Sequence, residues 1–352
     1  MEKLRALVGM SGGVDSSVAA YLMQQAGYDC IGGTMLLHDH ACGGSSDVAD
    51  ARAVARRLGM EHCVFEMKDV FELKVIRNFV GCYEQGLTPN PCIECNRHLK
   101  FGALLDEAEN LGCRYVVSGH YAQIRRDEET GRYLLYKAAD KAKDQTYFLA
   151  SLNQHQLAHI RFPLGGLTKD EVRAIAEAQG FGNARKRDSQ DICFIPDGDY
   201  AAFLQRYTGK QYPSGDYLDL HGNVVGKHRG AVCYTLGQRK GLGIALGAPV
   251  YVCKKDMQAN TVTVGPNEAL FSRGLRAKNM NWYPFPALTA PMEVTVKIRH
   301  SQLEQEAVVY PEDGNTVRVE FTQPQRAVTP GQAVVLYRGD LVIGGGTITE
   351  AI

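Results

Sequence analysis

No stretch of about 18 or more apolar residues occurs in the 352-residue chain, so nothing in it is suited to span a membrane as a helix. The N-terminal MEKLRALVGMSGG has no long apolar region followed by a small-residue cleavage site. The chain starts Met-Glu and ends Glu-Ala-Ile, without a lipidation signal. These absences predict a cytoplasmic protein with no membrane partner. Low-complexity segments and short-period repeats are also missing. So is charge of one sign: 39 basic residues face 39 acidic ones, a balance that taken alone argues against a nucleic-acid partner.

The balance hides an asymmetry. Residues 201–352 hold 16 of the basic and 12 of the acidic residues, leaving 23 against 27 for residues 1–200. Between Leu220 and Lys255 stand Lys227, Arg229, Arg239, Lys240, Lys254 and Lys255 with no acid among them. Such a run is either a solvated face or a phosphate-contacting patch.

At about 100–200 residues per domain, the length predicts two or three domains. LRALVGM (4–10), YDCIGGTML and HCVFEM read as strands. Val18 to Gln25, ended by Gly27, and DVADARAVARRLGM read as helices, as do residues 70–85 and 97–111, which precede the strand CRYVVSGH. Strands alternating with helices of this length predict βαβ units and a parallel sheet. From about Tyr207 the pattern changes to short alternating runs (AVCYTLG, PVYVCKKD, NTVTVG, MEVTVKIRH, EAVVYPE, NTVRVEF, QAVVLYRGD) separated by turn residues. The expectation is an α/β domain over 1–204, a central β domain over 205–272 and a C-terminal β-barrel over 273–352.

Three segments carry chemistry. Gly9-Met10-Ser11-Gly12-Gly13-Val14-Asp15-Ser16 lies between the first strand and first helix, where backbone N–H groups and hydroxyls favour phosphate. It has neither the Gly-Lys-Ser/Thr of a Walker A loop nor the G-x-G-x-x-G pattern. A loop without the γ-phosphate lysine suits an enzyme that releases pyrophosphate and leaves AMP on its substrate. The second segment is Thr88-Pro-Asn-Pro-Cys-Ile-Glu-Cys-Asn96, before the helix RHLKFGALL, where Cys95 would feel a helix dipole that favours thiolate. The third is Asp188-Ser-Gln-Asp-Ile-Cys-Phe194, after the basic triplet Arg185-Lys-Arg187. A lone C-x-x-C leaves zinc, redox chemistry and chance open. No second C-x-x-C exists to complete a zinc site, and beside a nucleotide loop sulfur chemistry leads. Cys30, Cys63, Cys113, Cys233 and Cys253 read as small buried hydrophobes.

SGGVDSS resembles the PP-loop of the ATP pyrophosphatases, and collinear strings extend the likeness. GMSGGVDSS, TPNPC-x-x-CN-x-x-x-KFG, SGHYA, KAKDQTYFL, FPLGGLTKDEVR, RKRDSQDICFI, YTLGQRKGLGI, LFSRGL and VRVEFTQPQRAVTPGQAVVLY together resemble the tRNA-specific 2-thiouridylase family over essentially the whole chain. The resemblance implies ATP-dependent thiolation at C2 of the wobble uridine in tRNAs for Lys, Glu and Gln. Gly9 to Ser16 would hold ATP phosphates with Asp15 near Mg²⁺, and Met35 and Gly119 would contact the adenosine. ATP would adenylate the uridine O2. Cys193 would carry a persulfide and Cys95 would act as nucleophile on it, leaving a Cys95–Cys193 disulfide for a reductant. Asn90, Pro91 and Cys92 would line the target base, and His120, Lys143, Asp144, Gln145, Arg299, His300 and Gln332 would contact tRNA. On position alone His120 reads as well as a core histidine, and Asp144 and Gln145 as helix caps. The sulfur donor would be a persulfide carrier of a cysteine desulfurase system, or free sulfide.

The chain departs from that family's pattern twice. His38-Asp-His-Ala-Cys-Gly-Gly-Ser-Ser46 is shorter than the usual insertion; it reads as a glycine loop over the nucleotide or, through His38, His40 and Cys42, as a metal site. Cys92 stands where the best-known members have Asp. Cys92, Cys95 and Cys193 could therefore ligate a [4Fe–4S] cluster whose open iron delivers sulfide. Two other readings stay open: an amidating PP-loop ligase, and a non-catalytic tRNA-binding or iron–sulfur protein.

Overall fold

A computed structural model of the chain describes residues 3–37, 45–186 and 192–352. The loop containing His38, His40 and Cys42, and the Asp188–Asp191 part of the third motif, lie outside the described residues. Along the first half run β1 (Arg5–Gly9), α1 (Val14–Gln25), β2 (Asp29–Leu36), α2 (Ser45–Arg57), β3 (His62–Glu66), α3 (Lys68–Phe71), α4 (Arg77–Glu84), α5 (Pro91–Cys95), α6 (Leu104–Asn110) and β4 (Tyr115–Val117). Then follow the hairpin strands β5 (Ala122–Arg126) and β6 (Tyr133–Lys137), α7 (Thr146–Leu149), α8 (Gln154–Ala158), β7 (Ile160–Arg161), α9 (Lys169–Ala178) and α10 (Tyr200–Thr208).

Ala6, Leu7 and Val8 of β1 have no exposed surface, as expected for a strand in the middle of a parallel sheet with both faces covered. The sheet order is β3-β2-β1-β4-β7, and every pairing is parallel. The chain leaves β1 toward β2 on one side and returns as β4 on the other, so the strand order reverses between β1 and β4. In open α/β sheets the crevice at such a reversal, beyond the carboxyl ends of the strands, is where ligands bind. The loop Gly9–Gly13 and the segment Ser118–Tyr121 both start there. Helix α1 begins at Val14, four residues before the Val18 that periodicity suggests, because Gly13 takes the extended N-cap conformation (φ −91°, ψ 164°). Gly27 ends it with φ +88°.

The second half is β structure. A four-stranded sheet orders β10 (Tyr251–Asp256), β11 (Thr261–Gly265), β8 (Gly215–Leu218) and β9 (Val224–His228). AVCYTLG is not a strand: Ala231–Cys233 is a buried 3₁₀ turn, since an apolar run is buried whatever its backbone. The C-terminal strands are β12 (Phe271–Trp282), β13 (Met292–Lys297), β14 (Gln305–Pro311), β15 (Thr316–Arg326), β16 (Ala333–Arg338) and β17 (Leu341–Ala351). They close into a six-stranded barrel through the β12–β17 pairing. The hairpin β5–β6 leaves the α/β half and extends the barrel sheet, pairing Tyr136 with Leu341. Arg132 reinforces the junction, with Nε on the Tyr283 carbonyl at 2.6 Å and a terminal nitrogen on that of Trp282 at 2.9 Å. Among the described residues no helix is long and apolar enough to cross a membrane.

Candidate nucleotide and cysteine site

The loop after β1 is held from several sides. The Met10 N–H donates to the Gly33 carbonyl at 2.7 Å, and the Thr34 hydroxyl donates to the Met10 carbonyl at 2.8 Å. Ser16 and Ser17 hydroxyls donate to the Gly13 carbonyl at 3.1 and 2.9 Å. Asn183 Nδ2 donates to the Gly12 carbonyl at 3.0 Å and to Ser17 Oγ at 2.9 Å. Gly12 has φ +71°, and a Cβ there would lie 2.6 Å from the Asp47 carbonyl oxygen of α2, so only glycine fits. Helix α1 has no side-chain cap. Its first turn is met by Gly119, where a Cβ would stand 2.7 Å from the Asp15 carbonyl carbon and 2.8 Å from the Ser16 nitrogen. Gly119 is therefore required by close approach of two backbones. Met35 lies on β2, half-buried against the core.

Asp15 faces two groups that motif reading missed as site residues. Lys169 Nζ, 5% exposed at the start of α9, donates to both carboxylate oxygens at 2.8 Å, and the Tyr121 hydroxyl donates to Oδ1 at 2.9 Å. Both residues lie inside strings quoted above for the family likeness, FPLGGLTKDEVR and SGHYA, but only the fold shows that they meet Asp15. Lys186, the middle of the basic triplet, bridges Asp47 and Asp50 of α2 at 2.9 Å each. Burial works against its ammonium, but the hydrogen bonds to Asp50 and Asp47 outweigh it and hold its pKa above the ordinary value.

Helix α5 begins at Pro91, capped by Asn90, whose side-chain oxygen accepts the Cys92 N–H at 3.1 Å. This corrects one expectation: Cys95 does not precede a helix. The helical run starts four residues earlier and continues through Asn96–Ala103, so Cys92 occupies the first turn, exposed, while Cys95 lies a turn inside and buried. Cys193 packs against the apolar cluster that contains Cys95. Its neighbour Phe194 anchors it there, with ring centroids 5.7, 5.3 and 5.2 Å from those of Phe71, Phe79 and Phe203. Among the described residues no group of three or more His, Cys, Asp or Glu is arranged to hold a metal ion.

The two halves of the site meet through adjacent residues. Gly119 touches the first turn of α1, while the ring of His120 lies between Phe101, on the helical run that follows Cys95, and Phe162, at 5.6 and 5.8 Å. His120 is buried, its Nδ1 is 2.7 Å from Ser118 Oγ, and burial, aided by Lys100, holds its pKa well below the ordinary value. Asp144 is also buried. It accepts the Ala138 N–H at 3.0 Å and the Thr146 hydroxyl at 2.6 Å, while burial pushes its carboxyl upward. Gln145 Oε1 accepts the Tyr121 N–H at 2.9 Å and makes no side-chain cap to α7. Lys143 precedes this pair.

In the barrel, Arg299 reaches the Ala327 carbonyl at 3.0 Å and Thr329 Oγ1 at 2.9 Å, and the His300 ring lies 4.4 Å from that of Phe148. Gln332 Nε2 donates to the Thr88 carbonyl at 2.8 Å. Of the acid-free run, Lys227 pairs with Asp216 at 2.6 Å. Lys255 is half-buried, donates to the Tyr234 carbonyl at 2.8 Å, and has its pKa lowered to about 8 by desolvation.

A glycine-rich loop at the reversal point of a parallel sheet, joined through one segment to a helix bearing cysteines, defines a nucleotide-using enzyme of the PP-loop type. Comparison with known proteins extends this. The model described as a tRNA methyl transferase HUP domain matches residues 4–197, the tRNA methyl transferase PRC-barrel domain matches 201–266, and the aminomethyltransferase beta-barrel domain matches 272–348. The chain is 48% identical to a tRNA-specific 2-thiouridylase MnmA of Acetivibrio thermocellus over 99% of this chain and 100% of that protein. It is 50% identical to the same-named protein of Heliobacterium modesticaldum (98% and 92% covered) and 45% identical to that of Clostridioides difficile (99% of each). The chain belongs to the tRNA-specific 2-thiouridylase family.

Proposed function

We propose that this chain thiolates C2 of a tRNA uridine at the expense of ATP, acting on the wobble position of tRNAs for Lys, Glu and Gln. The observation that carries the reading is the adjacency of Gly119 and His120: one presses on the phosphate-loop helix, the other packs against the helical run of Cys95. Activation and sulfur delivery are thereby tied through two consecutive residues.

In this reading Gly9 to Ser16 receive the ATP phosphates at the N-terminus of α1, with Met35 and Gly119 against the adenosine. The uridine O2 attacks the α-phosphorus, pyrophosphate leaves, and O2 becomes part of an AMP leaving group. Mg²⁺ is bound by one or two carboxylates together with substrate phosphates, which the single carboxylate Asp15 fits, and it would supply neutralisation of phosphate charge. Cys193 accepts a sulfane sulfur from a persulfide donor. The Cys95 thiolate attacks the Cys193 Sγ of that persulfide, the S–S bond between Sγ and the terminal sulfur breaks, and hydrosulfide leaves as the Cys95–Cys193 disulfide forms. Hydrosulfide adds to the activated C2 and AMP departs. A dithiol reductant reopens the disulfide. Asn90, Pro91 and Cys92, at the start of α5, line the extruded base, and His120, Lys143, Asp144, Gln145, Arg299, His300 and Gln332 form the tRNA-facing set.

Exchange of labelled pyrophosphate into ATP tests the activation half. Exchange that requires tRNA and survives Cys95→Ser supports the reading. Exchange without tRNA, or none at all, contradicts it.

A further inference from the structure

The barrel loop at residues 329–333 meets the segment that leads into the cysteine helix. The segment it meets is poor in donors of its own. Pro89 and Pro91 have no N–H, and the Thr88 N–H is spent on the Pro330 carbonyl at 3.0 Å. Gln332 Nε2 donates to the Thr88 carbonyl at 2.8 Å and approaches that of Pro89 at 3.4 Å. Gly331, at φ +91°, lets the two chains cross closely: a Cβ there would lie 2.8 Å from the Thr88 nitrogen and 2.9 Å from Leu87 Cβ. The loop is itself fixed to β17, since the Gly331 N–H donates to the Ile348 carbonyl and the Ile348 N–H to that of Gln332, both at 2.9 Å. A continuous line of hydrogen bonds therefore runs from the last strand of the barrel to the residue before Asn90, the cap of α5.

We propose that Gln332 is a positioning residue for sulfur transfer: by holding the Thr88 and Pro89 carbonyls it fixes where α5 begins and so where Cys95 stands. This rests on the role given to Cys95 above. The barrel then serves as a rigid bracket for the cysteine helix in addition to any contact it makes with RNA. The amide is suited to the task because both of its targets are acceptors. A carboxylate of the same size would repel them.

The test uses the full chain with Gln332→Ala and Gln332→Glu. Hydrogen exchange over residues 87–95 is followed without tRNA, ATP or sulfur donor, so its outcome is separate from whether the chain thiolates tRNA. Steady-state thiolation then gives kcat and the KM for tRNA. Both variants are expected to speed exchange in this segment and lower kcat, each by about tenfold, as loss of alignment at a reacting group does. A rise in the KM for tRNA reports the RNA contact of Gln332 given above and is read separately from exchange and kcat, which carry the positioning role. Unchanged exchange and kcat with a raised KM would overturn the proposal and make Gln332 an RNA contact alone. Wild-type behaviour of Gln332→Glu would overturn it equally.

Discussion

Lys169 Nζ stands 2.8 Å from both carboxylate oxygens of Asp15, joining the start of α9 to the first turn of α1. The pair places a buried ammonium beside a phosphate-type loop that carries no lysine of its own. Replacing Lys169 by Met leaves Asp15 without this cation next to incoming phosphates. The expected result is ATP affinity weakened at least tenfold with adenosine affinity unchanged, measured by calorimetry. Because Asp15 is part exposed, the stability loss should be about 1–3 kcal/mol, below that of a fully buried broken pair. Equal loss of ATP and adenosine binding would show that the pair only supports the fold.

Close approach makes a sharper prediction at the glycines. Gly119→Ala drives a methyl into the Asp15–Ser16 peptide, so pyrophosphate exchange should fall by two orders of magnitude or more. Gly27→Ala meets nothing within 4 Å and should cost only about 1 kcal/mol for its positive φ, with exchange retained. Similar exchange rates in the two variants would contradict the assignment of Gly119 to the site.

The buried histidine sets a pH dependence. His120 has a folded pKa held below its unfolded value, so the unfolded chain binds the extra proton as pH falls. The stability it contributes is complete above pH 6.5 and is lost as pH drops below that value. His62, His98, His228 and His300 are shifted the same way by burial and add to the slope. The raised carboxyl of Asp144 acts in the opposite direction, at lower pH. The melting temperature should therefore fall between pH 7 and pH 5.5, less steeply in His120→Asn. A flat profile would contradict the burial of His120.

Lys255 gives a stabilising substitution. Its pKa of about 8 means that at pH 7 a charge is carried in a half-buried place, where the hydrogen bond to Tyr234 offsets only part of the desolvation. Its contribution improves as pH rises from about 8 toward the unfolded value. Lys255→Met should raise stability at pH 7 by about 1 kcal/mol and leave tRNA affinity unchanged, read by thermal melts and filter binding. A tenfold loss of tRNA binding would return Lys255 to the phosphate-contacting patch.

The loop between β1 and α1 was legible because its signals are local. Gly9–Ser16 combines a buried strand, glycines and a helix start within a few residues of sequence. Lys169 was not legible as a partner of Asp15, since the pair is made 154 residues apart by packing of α1 on α9. The dipole argument for Cys95 failed because Pro91 at the first helical position moved the helix start ahead of both cysteines. The hairpin Ala122–Lys137 was missed as part of the barrel sheet because strand pairing between residues 136 and 341 leaves no mark on either segment. Ala231–Cys233 was misread because an apolar run reports burial without reporting backbone shape.

The central claim is that sulfur passes through the thiols of Cys193 and Cys95. It is tested most directly with anaerobically purified protein in which iron and acid-labile sulfide have been measured and removed. Given ATP, Mg²⁺, a persulfide donor, a dithiol and tRNA, the iron-free chain is predicted to form 2-thiouridine, detected by mass spectrometry of nucleosides. Cys95→Ser and Cys193→Ser should each abolish the product, while Cys92→Ala retains it. No product from the iron-free protein, with activity restored on cluster reconstitution and lost again in Cys92→Ala, would contradict the thiol route and assign all three cysteines to an iron–sulfur cluster.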